Sequence, residues 1–174
     1  MATTTKKTQS TDAIVLLKED HKEVLRLFRD FERAGENAHQ EQGRLVDRII
    51  ELLTVHTYIE NEVMYPRVAE LLPDLKDDVL ESYEEHHVAD VLVMELAGMK
   101  PEDERFRAKT MVLIENVRHH IEEEEQEWFP QVREGLGRKR LQELGANLLL
   151  AKEKAPRSPS QPSALKKTID AVIA

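Results

Sequence analysis

The sequence contains no cysteine. Disulfides, thiolate zinc sites, iron–sulfur clusters and cysteine nucleophiles are excluded together, and the chain fits a reducing compartment. Glycine is scarce, with 6 residues in 174, while charged residues make up 34%, so a glycine-rich β protein is not expected. Positive charge is the minority sign: 25 Lys and Arg stand against 34 Asp and Glu, a net charge of −9. That balance argues against nucleic-acid binding, where phosphates demand a basic face. No apolar run approaches the ~20 residues that span a bilayer, so no membrane association is expected. The first seven residues, Met1 to Lys7, lack the apolar core of a secretion signal. A cytoplasmic protein is expected.

What is abundant is helix-forming: leucine, glutamate, lysine, arginine and alanine dominate. Ser10-Thr11-Asp12 can cap a helix to about Ala34, with Ile14, Leu17, Val24, Leu25 and Phe28 at three-and-four spacing. A second helix is predicted from about Gln40 to Tyr65, a third from Lys76 to Met99 and a fourth from Glu102 to Phe129, with Pro66, Pro73, Pro101 and Pro130 as punctuation. The fold class read from this pattern is all-α: an antiparallel up-down-up-down four-helix bundle with a shorter C-terminal helix, Arg138 to Lys154, and a flexible tail. Residues 1–10 read as disordered, 11–135 as the bundle, and 136–174 as C-terminal helix, linker and tail, with a short amphipathic turn at 164–174. The tail is mildly basic, with Lys152, Lys154, Arg157, Lys166 and Lys167 against Glu153 and Asp170.

Histidine carries the functional reading, because the chain repeats itself around it. His56-Thr-Tyr-Ile-Glu60 leads to Tyr65-Pro66, and His120-Ile-Glu-Glu-Glu124 leads to Phe129-Pro130. Each is preceded by a helix bearing histidine, His21 in one half and His86-His87 in the other, 35 and 34 residues upstream. Two helical hairpins with pseudo-twofold symmetry follow. Residues four apart on a helix share a face, so His56 with Glu60, and His120 with Glu124, reach one point each. If those faces turn inward, four histidines and two glutamates converge in the core. A buried unpaired carboxylate costs several kcal/mol, and two divalent or trivalent cations remove that cost. Two histidines plus carboxylate oxygen per metal is an open ligand set of the non-haem iron kind, and bundle cores host carboxylate-bridged pairs. Zinc binds such ligands more tightly than ferrous iron in general, but paired carboxylates favour two ions of higher coordination over one tetrahedral zinc.

The register of the repeat selects His86, although His87 lies on an apolar row with Tyr83, Val91 and Met94 and can serve instead or as well. His119 with Glu123 is also four-spaced but breaks the match to Pro130, so it reads as surface; His39 reads as solvent-facing. Glu127 shares the stripe of His120 and Glu124, as an acceptor for an imidazole N–H or as surface. Tyr58 falls about 200° from His56 on an α-helix; a distorted helix would bring it, Tyr65 or Tyr83 to the metal.

These residues resemble the hemerythrin family in its bacterial HHE cation-binding form, over roughly residues 12–131. The resemblance implies a non-haem di-iron centre with oxo or hydroxo bridges, His21, His56, His86 and His120 as terminal ligands, and Glu60 and Glu124 as bridging carboxylates. Oxygen-carrying hemerythrins use five histidines, with His-x-x-x-His on the third helix and an aspartate ending the fourth-helix motif. Here Asp90 stands four residues after His86, and the fourth helix has glutamate. The expected function is therefore reaction with peroxide, nitric oxide or dioxygen in oxidative or nitrosative stress, catalase- or peroxidase-like, with an external reductant. The alternative is reversible dioxygen binding, or sensing of oxygen, redox state or iron. A monomer or weak homo-oligomer is expected.

Overall fold

The computed structural model describes residues 11–159. The expected disorder of residues 1–10 and the turn at 164–174 lie outside them. The architecture is the anticipated all-α bundle. Four long helices form it: α1 (Ala13–Arg33), α2 (His39–Ile59), α4 (Lys76–Ala97) and α5 (Phe106–Glu123). A short α3 (Tyr65–Leu71) follows α2, and α6 (Phe129–Lys154) follows α5. Helix α1 packs on α2, α2 on α4, α4 on α5 and α5 on α1, which closes the four into a ring.

Asp12 starts α1, its carboxylate accepting from the Val15 amide at 3.1 Å. The same carboxylate receives Arg133 of α6 at 2.9 and 3.1 Å, so the cap also ties the chain's two ends. Arg118 of α5 grips Glu32 of α1 through two bonds of 2.6 and 2.7 Å.

The prolines behave differently from the sequence expectation. Pro66 and Pro130 end no helix. Each sits just beyond a π-helical turn, Glu60–Met64 and Glu124–Trp128. Proline lacks an N–H and its ring collides with the carbonyl four residues back. In a π turn the amide bonds five residues back instead: Tyr65 N–H donates to the Glu60 carbonyl, and Phe129 N–H to that of Glu124. The chain thus runs on as helix to Leu71 and through Pro130 into α6. The fourth helix begins at Phe106 rather than Glu102, after turns at 101–105. Within α6, Gly137 has φ 72° and ψ 171°, a left-handed position that divides the helix into two arms.

The second arm lays Leu141, Leu144 and Leu148 into the core. Its approach to α1 is very close. A Cβ on Gly145 would fall 1.6 Å from the Thr11 carbonyl oxygen, so only glycine permits this docking. Lys152 then pairs with Asp20 at 2.5 Å and Arg157 with Glu51 at 3.4 Å, setting the arm across α1 and α2.

The core comes in two blocks. One gathers Phe28, Phe31, Leu45, Ile49, Val93, Phe106 and Leu113. The other gathers Ile14, Leu17, Tyr65, Val79, Trp128, Phe129 and Leu141. Between them, at one level of all four long helices, lies a buried polar layer: His21, His56, Glu60, His86, His120 and Glu124.

Candidate metal centre

Each long helix contributes one histidine, flanked by apolar residues of both blocks. On α1, His21 lies between Leu17 and Val24; on α2, His56 lies between Leu53 and Ile59. The imidazole Nε2 atoms pair inward, His21 with His56 at 3.2 Å and His86 with His120 at 3.0 Å. Two half-sites result, and each glutamate spans both. Glu60 Oε2 is 3.1 Å from His56 Nε2 and 3.3 Å from His86 Nε2. Glu124 Oε2 is 3.3 Å from His21 Nε2, and its Oε1 is 3.6 Å from His120 Nε2. Ligand atoms of His21, His56, Glu60 and Glu124 fall within 4.8 Å of one another, as do those of Glu60, His86 and His120. All six residues picked from the sequence come together.

Their other atoms point outward to acceptors. His21 Nδ1 faces Glu125 Oε1 at 2.9 Å, His86 Nδ1 faces Asn61 Oδ1 at 2.9 Å, and His120 Nδ1 faces Glu85 Oε2 at 2.5 Å. His56 Nδ1 faces Asp20 Oδ2 at 3.6 Å, beyond hydrogen-bond length. An acceptor on Nδ1 fixes the ring and leaves Nε2 as the inward lone pair, the arrangement a metal-binding histidine needs.

The two π turns aim the aromatics. In an α-helix a residue five positions on lies ~140° away; the wider turn swings Tyr65 back over Glu60. Its hydroxyl donates to Glu124 Oε1 at 2.8 Å and lies 3.2 and 3.4 Å from Nε2 of His86 and His120. The equivalent Phe129 has no hydroxyl and stacks on His21, centroids 5.7 Å apart and planes 8° from parallel.

The donor set fits cations. Glu60 Oε1 and Glu124 Oε2 are buried and have no hydrogen-bond partner. Such atoms cost ~1–3 kcal/mol each unless something positive meets them, and neutral imidazoles with carboxylates are ligands of transition-metal ions.

The chain matches the model of the hemerythrin HHE cation binding domain over residues 12–132. It belongs to that family. A hemerythrin HHE cation binding domain-containing protein from Mycobacterium kansasii shares the fold, with a TM-score of 0.68 over 82% of this chain and 86% of that one at 22% identity. A DNA nickase from Nostoc sp. is 26% identical over 139 residues, 80% of this chain. The chain spans 38% of that relative's length.

Electrostatics in this hemerythrin domain follow from the pairing of buried charges. Burial alone would lower the His56 pKa, but Glu60 and Asp20 outweigh it and push it up to about 10. Glu124 and Glu85 likewise overcome burial at His120 and raise it to about 9. His21 is raised by Glu124 and Glu125 against burial. Glu60 is held well below the usual carboxylate range, because His56 and His86 outweigh its burial. Burial, then Glu124 and Glu60, push the Tyr65 phenol well above its ordinary value.

The remaining sequence candidates fall outside the cluster. His87 is half-buried on the next face of α4 and joins none of the metal-competent groups among the described residues. Tyr58 is packed on the apolar block containing Trp128. Tyr83 donates to the Asn61 carbonyl at 3.2 Å. His39 is half-buried, with Nδ1 at 3.1 Å from the Pro101 carbonyl oxygen, rather than solvent-facing. Glu127 is exposed; the imidazole acceptor is Glu125, because the π turn advances the face by part of a turn. Asp20, Asn61, Glu85 and Glu125 went unread as partners. Their signal is positional: Asp20 and Glu85 each precede an upstream histidine, and Asn61 and Glu125 each follow a bridging glutamate.

Proposed function

We propose that this domain holds two iron ions and reacts with a small oxidant or diatomic ligand: hydrogen peroxide, nitric oxide or dioxygen. His21 and His56 would hold one ion, His86 and His120 the other, with Glu60 and Glu124 shared between them and Tyr65 adding an oxygen donor on the second side. The observation that carries the reading is the pair of buried glutamates, each spanning both histidine pairs and each with an unpartnered oxygen. When bound, a pair of iron ions supplies electrons and Lewis acidity to the oxidant.

The chain's own residues supply the rest. The outward acceptors keep the imidazoles oriented, and Tyr65 Oη holds a proton donated to Glu124 Oε1 at 2.8 Å. The apolar blocks above and below exclude water. A cavity of roughly 20 Å3 adjoins the centre, bounded by His56, His86 and His120 together with Val24, Leu53 and Val117. That is room for about one water-sized molecule. Its apolar wall suits dioxygen or nitric oxide, which supports reversible binding or sensing as the second reading. The absence of a fifth histidine supports turnover in stress handling as the first. Nucleic-acid cleavage is not part of our proposal: net charge is −9, and the relative named a nickase is much longer than the matched segment.

The test is metal content per chain after aerobic purification from iron-supplied cells, then peroxide and nitric oxide added to the loaded protein. Near two irons per chain, with loss of both in His56→Ala, Glu60→Ala, is the expected result. Retained stoichiometric metal in that double variant refutes the site. Turnover of peroxide selects the first reading, and a stable reversible oxy spectrum the second.

A further inference from the structure

A cleft of roughly 110 Å3 opens from solvent onto the centre between α4 and the junction of α5 with α6. Glu81, Glu85, Glu123 and Glu127 line its walls, and His120 and Glu124 form its inner end. No lysine or arginine is among its described lining residues. Repeated negative charge in a concave, low-dielectric setting focuses the field and raises the local concentration of cations.

Two further observations point to a cation. At the inner end, Glu124 is 2% exposed and keeps an oxygen without any partner. At the mouth, Glu85, His119 and Glu123 bring three ligand atoms within 4.8 Å of one another. His119 Nε2 lies 3.2 Å from Glu123 Oε1, and both side chains are open to solvent. Glu85 belongs to both levels, since its Oε2 also meets His120 Nδ1. The four-spaced pair His119 and Glu123, set aside in the sequence as surface, therefore stands one residue from the inner pair His120 and Glu124 on the same helix. The other opening is unlike it: the cavity against Val24, Leu53 and Val117 is apolar and presents only Glu85 as a carboxylate.

We propose that the acidic cleft is the loading route for divalent transition-metal cations, and that Glu85, His119 and Glu123 form an outer capture site from which an ion passes to His120 and Glu124. The inference rests on the reading of the buried layer as a metal centre. The charged ion enters through the carboxylate-lined cleft, and the neutral diatomic ligand has the apolar side.

The test uses metal-free full chain and ferrous ion under anaerobic conditions, with loading followed by stopped flow and end-point stoichiometry by elemental analysis. The variants are His119→Ala with Glu123→Gln, Glu81→Gln alone, and Glu19→Gln as a control on a different groove. The outer double variant should load at least ~5-fold more slowly at low salt and reach the same final stoichiometry. The gap should close as salt screens the cleft. Glu81→Gln should slow loading by a smaller factor, and Glu19→Gln should load as the parent does. Equal rates in parent and double variant overturn the route while leaving the buried centre standing. A lower final stoichiometry in the double variant also overturns it, because the triad would then be holding metal rather than passing it. A parent chain that takes up no ferrous ion overturns the centre and the route together.

Discussion

Removing metal should destabilise this bundle by an amount that its buried atoms set. Without a cation, Glu60 Oε1 and Glu124 Oε2 lie buried with no partner. At ~1–3 kcal/mol for each such atom, the deficit is about 2–6 kcal/mol. Linkage gives a similar figure, since an ion at about 1,000 times its Kd stabilises by ~4 kcal/mol. With ~2–4 °C of Tm per kcal/mol for a domain of this size, chelation should lower Tm by about 10 °C.

The pH dependence gives the same reasoning a second readout. In the metal-free chain His56 is raised to about 10 and His120 to about 9, from an unfolded value near 6.5. Their contribution is fully present below 6.5 and is lost as pH rises through 9 to 10. Glu60, Asp20, Glu85 and Glu125 are lowered. Theirs is present above the ordinary carboxylate range and is lost as pH falls through their folded values. Metal-free protein should therefore be most stable between about pH 5 and 6.5 and weaken toward pH 9. A bound ion requires neutral imidazoles and must displace those protons, so the difference in Tm between loaded and metal-free protein should grow from pH 6 to pH 9. Thermal melts by circular dichroism at both pH values, with metal content measured on each sample, would decide it. A Tm unchanged by complete metal loss, or a difference that shrinks as pH rises, would refute the argument.

Replacing Tyr65 by Phe leaves Glu124 Oε1 without its 2.8 Å donor; metal content should hold, while the spectrum and ligand kinetics of the loaded protein change. Val117→Ile adds one methylene to the roughly 20 Å3 cavity; stability should move by under ~1.5 kcal/mol and association of nitric oxide should slow several-fold. Gly145→Ala places a methyl against the Thr11 backbone; stability should fall by about 1–3 kcal/mol, with limited proteolysis showing the second arm of α6 released first. Lys152→Met frees Asp20 from its 2.5 Å partner to approach His56; the melt should barely change, whereas the metal-centre spectrum should shift.

Much of the site was legible because His-x-x-x-Glu is a spacing along one helix and needs no tertiary knowledge. The repeat then supplied the inward direction, since His21 and His86 stand at matched distances upstream. Helix boundaries at Pro66 and Pro130 were misread for the opposite reason. Sequence periodicity assumes 3.6 residues per turn, and on that assumption a proline there must stop the helix. A π turn removes the conflict without any residue that announces it. It also redirects everything after it, which is why Tyr65 rather than Tyr58 meets the centre and Glu125 rather than Glu127 meets His21. The docking of α6 hinges on the absence of a Cβ at Gly145, and a lone helical glycine carries no sign of what it touches.

The departures from the repeat give the two half-sites different chemistry. Position by position, Asn61 answers Glu125, and Tyr65 answers Phe129. The His21–His56 side therefore has carboxylates behind both imidazoles, Glu125 at 2.9 Å and Asp20 at 3.6 Å, with Phe129 closing it. The His86–His120 side has an amide at Asn61, a carboxylate at Glu85 and the phenol of Tyr65. A carboxylate behind an imidazole makes it a stronger donor than an amide does. The first side should stabilise the higher charge state of an ion, and the second should be where a ligand displaces or protonates a donor. Lys152, from beyond the matched domain, draws Asp20 away from His56 and moderates that difference. The helix that the repeat does not contain thus acts on the half-site that the repeat makes stronger.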